Sequence, residues 1–232
     1  SHPGFAKISF TGSTATGKKV MESASKDLKR LTLELGGNDA AIVMPDVDLD
    51  EIAQKIFFGA FFNTAQICVA TKRLYVHEDV YEGLRDRLLG IAKAIKVGDG
   101  AEQGTVLGPI QNKRQYARVL ELLEDAKKTG LTVLQGADVP EGGYFIPVTI
   151  VDNPPEDSRI VQEEQFGPVL PLLKFDSIDE VIAAYRPGVD ALREGRDPWP
   201  GLHGFEDTVV PQLERALIAG HDVVLLGERG QG

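Results

Sequence analysis

Apolar and polar residues follow two periods along this chain. LTLEL (31–35) alternates strictly, with Leu31, Leu33 and Leu35 on one face and Thr32 and Glu34 on the other, and Gly36 and Gly37 end it. An earlier strand is predicted over 8–10, running into a Gly/Ser/Thr turn and a helix from about Ala15. Further strands are predicted over 73–77, 132–135, 148–152 and 169–175. From Asp48 to about Phe62 the period is helical. Ile52, Ile56 and Ala60 share one side and Phe57, Phe58 and Phe61 the other, which predicts burial nearly all round. A helix over 79–95 carries the stripe Leu84, Leu88, Ile91 and Ile95, with Gly98 and Gly100 just beyond. Another over 112–129 carries Tyr116, Val119, Leu120 and Leu123 and stops at Gly130. Ser177 and Glu180 have the spacing of a capping box that opens SIDEVIAAY. Strands alternating with helices predict an α/β protein with a largely parallel sheet.

The pattern changes at about Ala183. The following stretch is rich in Pro, Gly and charge and holds the one Trp, Trp199. A second helical pattern and a short apolar strand then lead into Gly227-Glu-Arg-Gly-Gln-Gly232.

Composition narrows the classes. A 42% hydrophobic, 26% charged chain of 232 residues can bury a sizeable core. A net charge of −10 with no basic patch argues against nucleic acid as a partner. The four His residues have no ligand spacing, so no structural zinc site is expected. No run approaches the ~18 apolar residues of a membrane span. The N-terminus lacks the signature of a signal peptide, and a single Cys cannot form an intrachain disulfide. The expected setting is cytoplasmic.

That single cysteine, Cys68, sits in NTAQICVATKR. A lone thiol is either a small hydrophobe filling a core or a nucleophile at the mouth of a site. Asn63 and Gln66 before it, and Lys72 and Arg73 after it, are unusual company for a packed thiol. Glu34 stands at the end of an otherwise apolar strand, against two glycines. It is either a solvated strand end or a general base.

Five strings in order, FTGSTATG (10–17), LELGG (33–37), NTAQIC (63–68), LGPI (107–110) and EEQFGPV (163–169), resemble the aldehyde dehydrogenase superfamily over residues 1 to about 183. Cys68 and Glu34 are 34 positions apart, which fits that family's interval between base and nucleophile. The resemblance implies an aldehyde-dehydrogenase-like α/β fold. Residues 1–37 would end a Rossmann-type cofactor domain, and 38–183 would form most of a catalytic domain. It implies that Cys68 attacks the aldehyde carbonyl, that hydride then passes to NAD or NADP, and that Glu34 activates the water that hydrolyses the thioester. The Cys68 N–H would supply part of an oxyanion hole, typically worth ~2.7–4 kcal/mol per donor. Gly12 and Ser13 would lie against the cofactor pyrophosphate at a helix N-terminus. Glu164 would hold the nicotinamide ribose and Phe166 would pack near the nicotinamide ring. Gly108-Pro109 reads as a structural turn. Relatives that hand the acyl group to coenzyme A tend to lack the Glu, so Glu34 favours hydrolysis to a free acid. Ala65 departs from the family's usual Gly near the thiol.

Other parts of the family's pattern are missing: the Asn that completes the oxyanion hole, the Lys-bearing strand at the adenine ribose and the oligomerisation strand. The resemblance therefore implies a small-molecule aldehyde as substrate, homo-oligomeric full-length relatives, and little or no turnover by this piece alone. Residues 184–232 resemble the start of a magnesium-chelatase-type AAA+ ATPase, because Gly227–Gly232 matches the first six positions of a phosphate loop. The alternative expectation is a non-catalytic fusion product or a nucleotide-binding AAA+ fragment.

Overall fold

A computed structural model describes residues 2–185. The expected AAA+-like segment, with Trp199 and the phosphate-loop-like end, lies outside the described residues. Two compact units divide the chain. Among the described residues, one holds those up to Leu35 together with 177–185, and the other is Gly36–Asp176.

In the first unit, strands β1 (Lys7–Thr11) and β2 (Arg30–Glu34) pair in parallel, with Lys7 opposite Arg30 and Thr11 opposite Glu34. A parallel pair needs a crossover, and α1 (Thr14–Ser25) supplies it. Gly17 is buried in that helix. A Cβ there would come within 2.7 Å of the Leu35 side chain, so the helix crosses where a glycine allows close approach. Helix α6 (Ile178–Tyr185) begins just after Ser177.

The second unit is built on a five-stranded sheet. Its strands are β3 (Ala40–Val43), β4 (Arg73–His77), β7 (Thr132–Gln135), β8 (Thr149–Asp152) and β9 (Val169–Phe175), in the order β3-β4-β9-β8-β7. All neighbours are parallel except β7, which runs antiparallel to β8. Strand β9 is buried at every position but Lys174, as a near-continuous apolar run in a covered parallel sheet should be. Helices α2 (Leu49–Phe61), α3 (Glu78–Ala94) and α4 (Lys113–Lys128) are joined by a short α5 (Arg159–Gln162). The core gathers Phe57, Phe61, Leu74, Val76, Tyr81, Leu84, Leu88, Ile150, Leu170 and Leu172, all essentially without exposed surface. Each large apolar side chain buried in this way contributes about 1.5–3 kcal/mol.

Three expectations are corrected by the structure. Helix α2 is not buried all round: Ala53, Phe57, Ala60 and Phe61 are buried, while Ile52, Ile56 and Phe58 are only partly covered. The buried stripe of α4 runs through Leu122 and Ala126 as well as Val119 and Leu123, and Leu120 lies at its margin. Strand β3 and a small parallel pair, β5 (Lys96–Val97) and β6 (Thr105–Leu107), were not predicted. Asp48 caps α2, its carboxylate accepting from the N–H groups of Asp50 (2.9 Å) and Glu51 (3.3 Å). The chain between the end of α2 and the start of β4 carries the thiol.

Candidate active site

In the first unit, Gly12, Ser13 and Glu34 meet at the carboxyl end of the parallel pair. Thr11 and Glu34 are in register, and the Gly12 N–H donates to the Glu34 carbonyl at 2.9 Å. Ser13 is the N-cap of α1, its hydroxyl accepting from the Thr16 N–H at 3.3 Å. The first turn of α1 has no acidic residue, whereas α2 begins with Asp50 and Glu51 and α3 with Glu78 and Asp79. The positive end of the α1 dipole is therefore left without a carboxylate in its own first turn.

In the second unit, α2 stops at Phe61 and the chain enters a tight turn. Asn63, Thr64 and Ala65 take φ values of 52°, 58° and 58°, three successive non-glycine residues in the left-handed region. Each such residue costs roughly 1–2 kcal/mol, so neighbouring structure must hold the turn in place. The holding contacts come from the loop after β6. The Thr64 hydroxyl donates to the Gly108 carbonyl at 3.0 Å. The Gln66 amide donates to the Pro109 carbonyl at 3.2 Å and accepts from the Gln111 N–H at 2.8 Å. LGPI thus acts as a structural brace for the cysteine loop. Ala65, where the resemblance led us to expect Gly, sits at a left-handed position, which is the physical reason glycine suits it.

Cys68 follows this turn and is exposed. Among the described residues its N–H donates to no protein acceptor. Directly beneath is Lys72, only 1% exposed, whose ammonium donates to the carbonyls of Ile67 (2.8 Å), Cys68 (3.2 Å) and Ala70 (3.1 Å). The Lys72 and Arg73 N–H groups donate to the Asp39 carbonyl at 2.8 and 3.1 Å, which brings the Gly36–Asp39 segment alongside.

Glu164 approaches the same place from the loop before β9. Its carboxylate accepts from the Gly37 N–H at 3.2 Å and lies 3.8 Å from the Lys72 ammonium. A Cβ on Gly36 would overlap that carboxylate, so LELGG ends in a glycine that lets it in. Burial pushes the Glu164 carboxyl above its ordinary range, against the Gly37 hydrogen bond and the Lys72 charge that pull it down. Burial likewise lowers Lys72 below the ordinary lysine value, with Glu164 the main opposing charge. Phe166, at φ 46°, places its ring 5.8 Å from the Lys72 nitrogen.

This loop is anchored from α4 and α5. Gln115 donates to the carbonyls of Gln165 (2.9 Å) and Phe166 (3.1 Å), while Arg118 and Arg159 both hold Glu163. Within each unit the predicted residues converge: Gly12, Ser13 and Glu34 in the first, Cys68, Glu164 and Phe166 in the second. The contacts made by Lys72, Gln66 and Gln115 were not predicted. The sequence had marked Gln66 and Lys72 only as unusual neighbours of the thiol, with Lys72 two positions before LYV, and gave no signal at Gln115.

Comparison with known proteins shows the family. Residues 1–185 match the aldehyde dehydrogenase family. The chain belongs to that family. It is 50% identical over 195 residues to a probable aldehyde dehydrogenase of a Pseudomonas species, covering 84% of this chain and 39% of the relative. A chloroplastic betaine aldehyde dehydrogenase of Amaranthus hypochondriacus is 46% identical over 184 residues, 78% of this chain and 37% of its own. The solved NAD+ complex of the Bacillus cereus aldehyde dehydrogenase superposes with a TM-score of 0.75 at 41% identity, covering 80% of this chain and 38% of that one. The chain thus spans about two fifths of the length of these aldehyde dehydrogenases. One relative's name places it in the chloroplast, so membership in the family selects no compartment. None of the helices described is long and apolar enough to cross a membrane, and no cluster of His, Cys, Asp or Glu among the described residues could hold a metal ion.

Proposed function

We propose that this chain carries the nucleophile, the base and part of the cofactor site of an enzyme that oxidises an aldehyde to a carboxylic acid with NAD or NADP. The observation that carries the reading is the exposed Cys68, presented on a turn whose left-handed backbone is held through its own Thr64 and Gln66 side chains, bonded to the backbone of the Gly108–Gln111 segment. The Cys68 thiolate adds to the carbonyl carbon, forming the S–C bond while the carbonyl π pair moves onto oxygen. The Cys68 N–H, which donates to no protein acceptor among the described residues, is available to that oxygen. Hydride then leaves the thiohemiacetal carbon, and the C=O double bond re-forms as a thioester. Bound nicotinamide would supply the hydride acceptor. Glu34 takes a proton from water, which adds to the thioester and expels the Cys68 thiolate, leaving a free acid.

The residues suit that cofactor. Gly12 and Ser13 are exposed at the N-terminus of a 12-residue helix with no acid in its first turn, a setting that favours an anion such as a pyrophosphate. Glu164 and Phe166 would face the nicotinamide half, the carboxylate toward ribose hydroxyls. Residues 1–37 then read as the end of the cofactor domain and 38–183 as an incomplete catalytic domain. Residues 184–232 are read, in the same proposal, as an appended segment. Homo-oligomeric assembly belongs to the same proposal.

The test is acylation by p-nitrophenyl acetate followed by intact mass. The expected result is one acetyl group on the wild-type chain and none on Cys68→Ala, with Glu34→Gln accumulating the acyl form by slowing its hydrolysis. An acetyl group that persists in Cys68→Ala would sink the reading.

A further inference from the structure

The side chain of Lys72 is buried, and its ammonium donates to three carbonyls of one short turn, Ile67 (2.8 Å), Cys68 (3.2 Å) and Ala70 (3.1 Å). Three acceptors match the three protons of an ammonium. Burying that charge is costly unless it is hydrogen-bonded and paired, and Glu164, 3.8 Å away, supplies the carboxylate. The segment it grips is a β-turn. The Ala70 N–H donates to the Ile67 carbonyl at 3.3 Å, and Cys68 and Val69 are the two central residues.

The peptide bonds on either side of Cys68 are trans. In a planar trans peptide the C=O and the next residue's N–H point in opposite directions. The Ile67 carbonyl faces the ammonium, so the Cys68 N–H faces away from it. The Cys68 carbonyl faces the ammonium too, so the Val69 N–H also faces away. Neither N–H donates to a protein acceptor among the described residues. Cys68 and Val69 are both exposed, so two adjacent donors are open at the surface while their carbonyl partners are pinned to one buried cation. We infer that Lys72 is a positioning residue for the oxyanion site: it fixes the two peptide planes flanking Cys68 so that the Cys68 and Val69 N–H groups are directed at the oxygen of a carbonyl under attack. This rests on the reading of Cys68 as the nucleophile. Donors held in place before the charge develops need no reorganisation at the moment of reaction, which is what gives such a site its effect.

The experiment compares two reactions of Cys68 in the 232-residue chain at a single pH. Acylation by p-nitrophenyl acetate passes through an intermediate with a negative carbonyl oxygen, from which p-nitrophenolate is expelled. Alkylation by iodoacetamide displaces iodide from carbon and develops no such charge. Both reagents consume the thiolate, so the ratio of the two rates does not depend on how much of the thiol is ionised. In the wild-type chain the ratio is expected to be about tenfold or more higher in the native state than in urea. Lys72→Met, with circular dichroism as a check on folding, is expected to lower the native ratio by about tenfold. If Lys72→Met does not fold, Lys72→Gln decides: its amide has two protons for three carbonyls, and the ratio is expected to fall by about threefold or more. An unchanged ratio in a folded variant overturns the inference. Failure of both variants to fold overturns it as well, by making Lys72 a residue of the fold alone. A native wild-type ratio no higher than the unfolded one sinks the oxyanion site and leaves Cys68 standing as nucleophile. A chain that takes no acetyl group on Cys68 removes both readings together.

Discussion

The β1–α1 turn and the Cys68 loop are both turns joining a strand and a helix, yet they are made in opposite ways. At the first, Gly12 and Ser13 follow β1 in order, Ser13 caps the helix it starts, and the contacts are short-range or between the two paired strands. At the second, three left-handed residues in succession are held by groups about 40 positions away in the Gly108–Gln111 segment, and by a lysine buried beneath. A cap stabilises what local preference already favours. The cysteine loop is held against local preference, and strain of that kind persists where surrounding structure over-determines it.

If the contrast is correct, substitutions at the two turns should differ in size and reach. Lys72→Met leaves three carbonyls without their donor in a buried setting and should cost about 2–4 kcal/mol in urea unfolding. Its effect should extend to the thiol. Ser13→Ala removes one cap at an exposed helix start and should cost about 0.5–1 kcal/mol, leaving the alkylation rate of Cys68 unchanged. Ala65→Gly should be the smallest and of opposite sign. Relief of the left-handed backbone outweighs the lost methyl and the added chain entropy, for a gain of about 0.5 kcal/mol in the same assay. A cost above about 1 kcal/mol for Ala65→Gly would mean that the turn is not strained at that residue.

The same contrast explains what could be read from the sequence. Strands β4, β7 and β9 fall where they were predicted, because each is a compact apolar run bounded by turn residues. Strand β3 was missed: AAIV is short and weakly patterned, and its burial alternates irregularly at the edge of the sheet. The pair β5 and β6, of two and three residues, is too short to carry a period. Helix α2 was expected to be covered on all sides because both of its faces are apolar, but apolar character alone does not decide which face meets the core. Among the candidate residues, Glu34 in the first unit and Cys68, Glu164 and Phe166 in the second were legible within recognisable strings. The role of Lys72 was not, since it depends on where three backbone carbonyls point. Nor was that of Gln115, which reaches the Glu164 loop from 50 positions away.

The central claim is that the fold, and not the bare thiol, makes Cys68 a nucleophile. Alkylation by iodoacetamide near neutral pH, compared between the native chain and the same chain in urea, tests it most directly. The account predicts that the native thiol reacts about tenfold faster or more than the unfolded one. Equal rates, or a native thiol slower than the unfolded one, would contradict it.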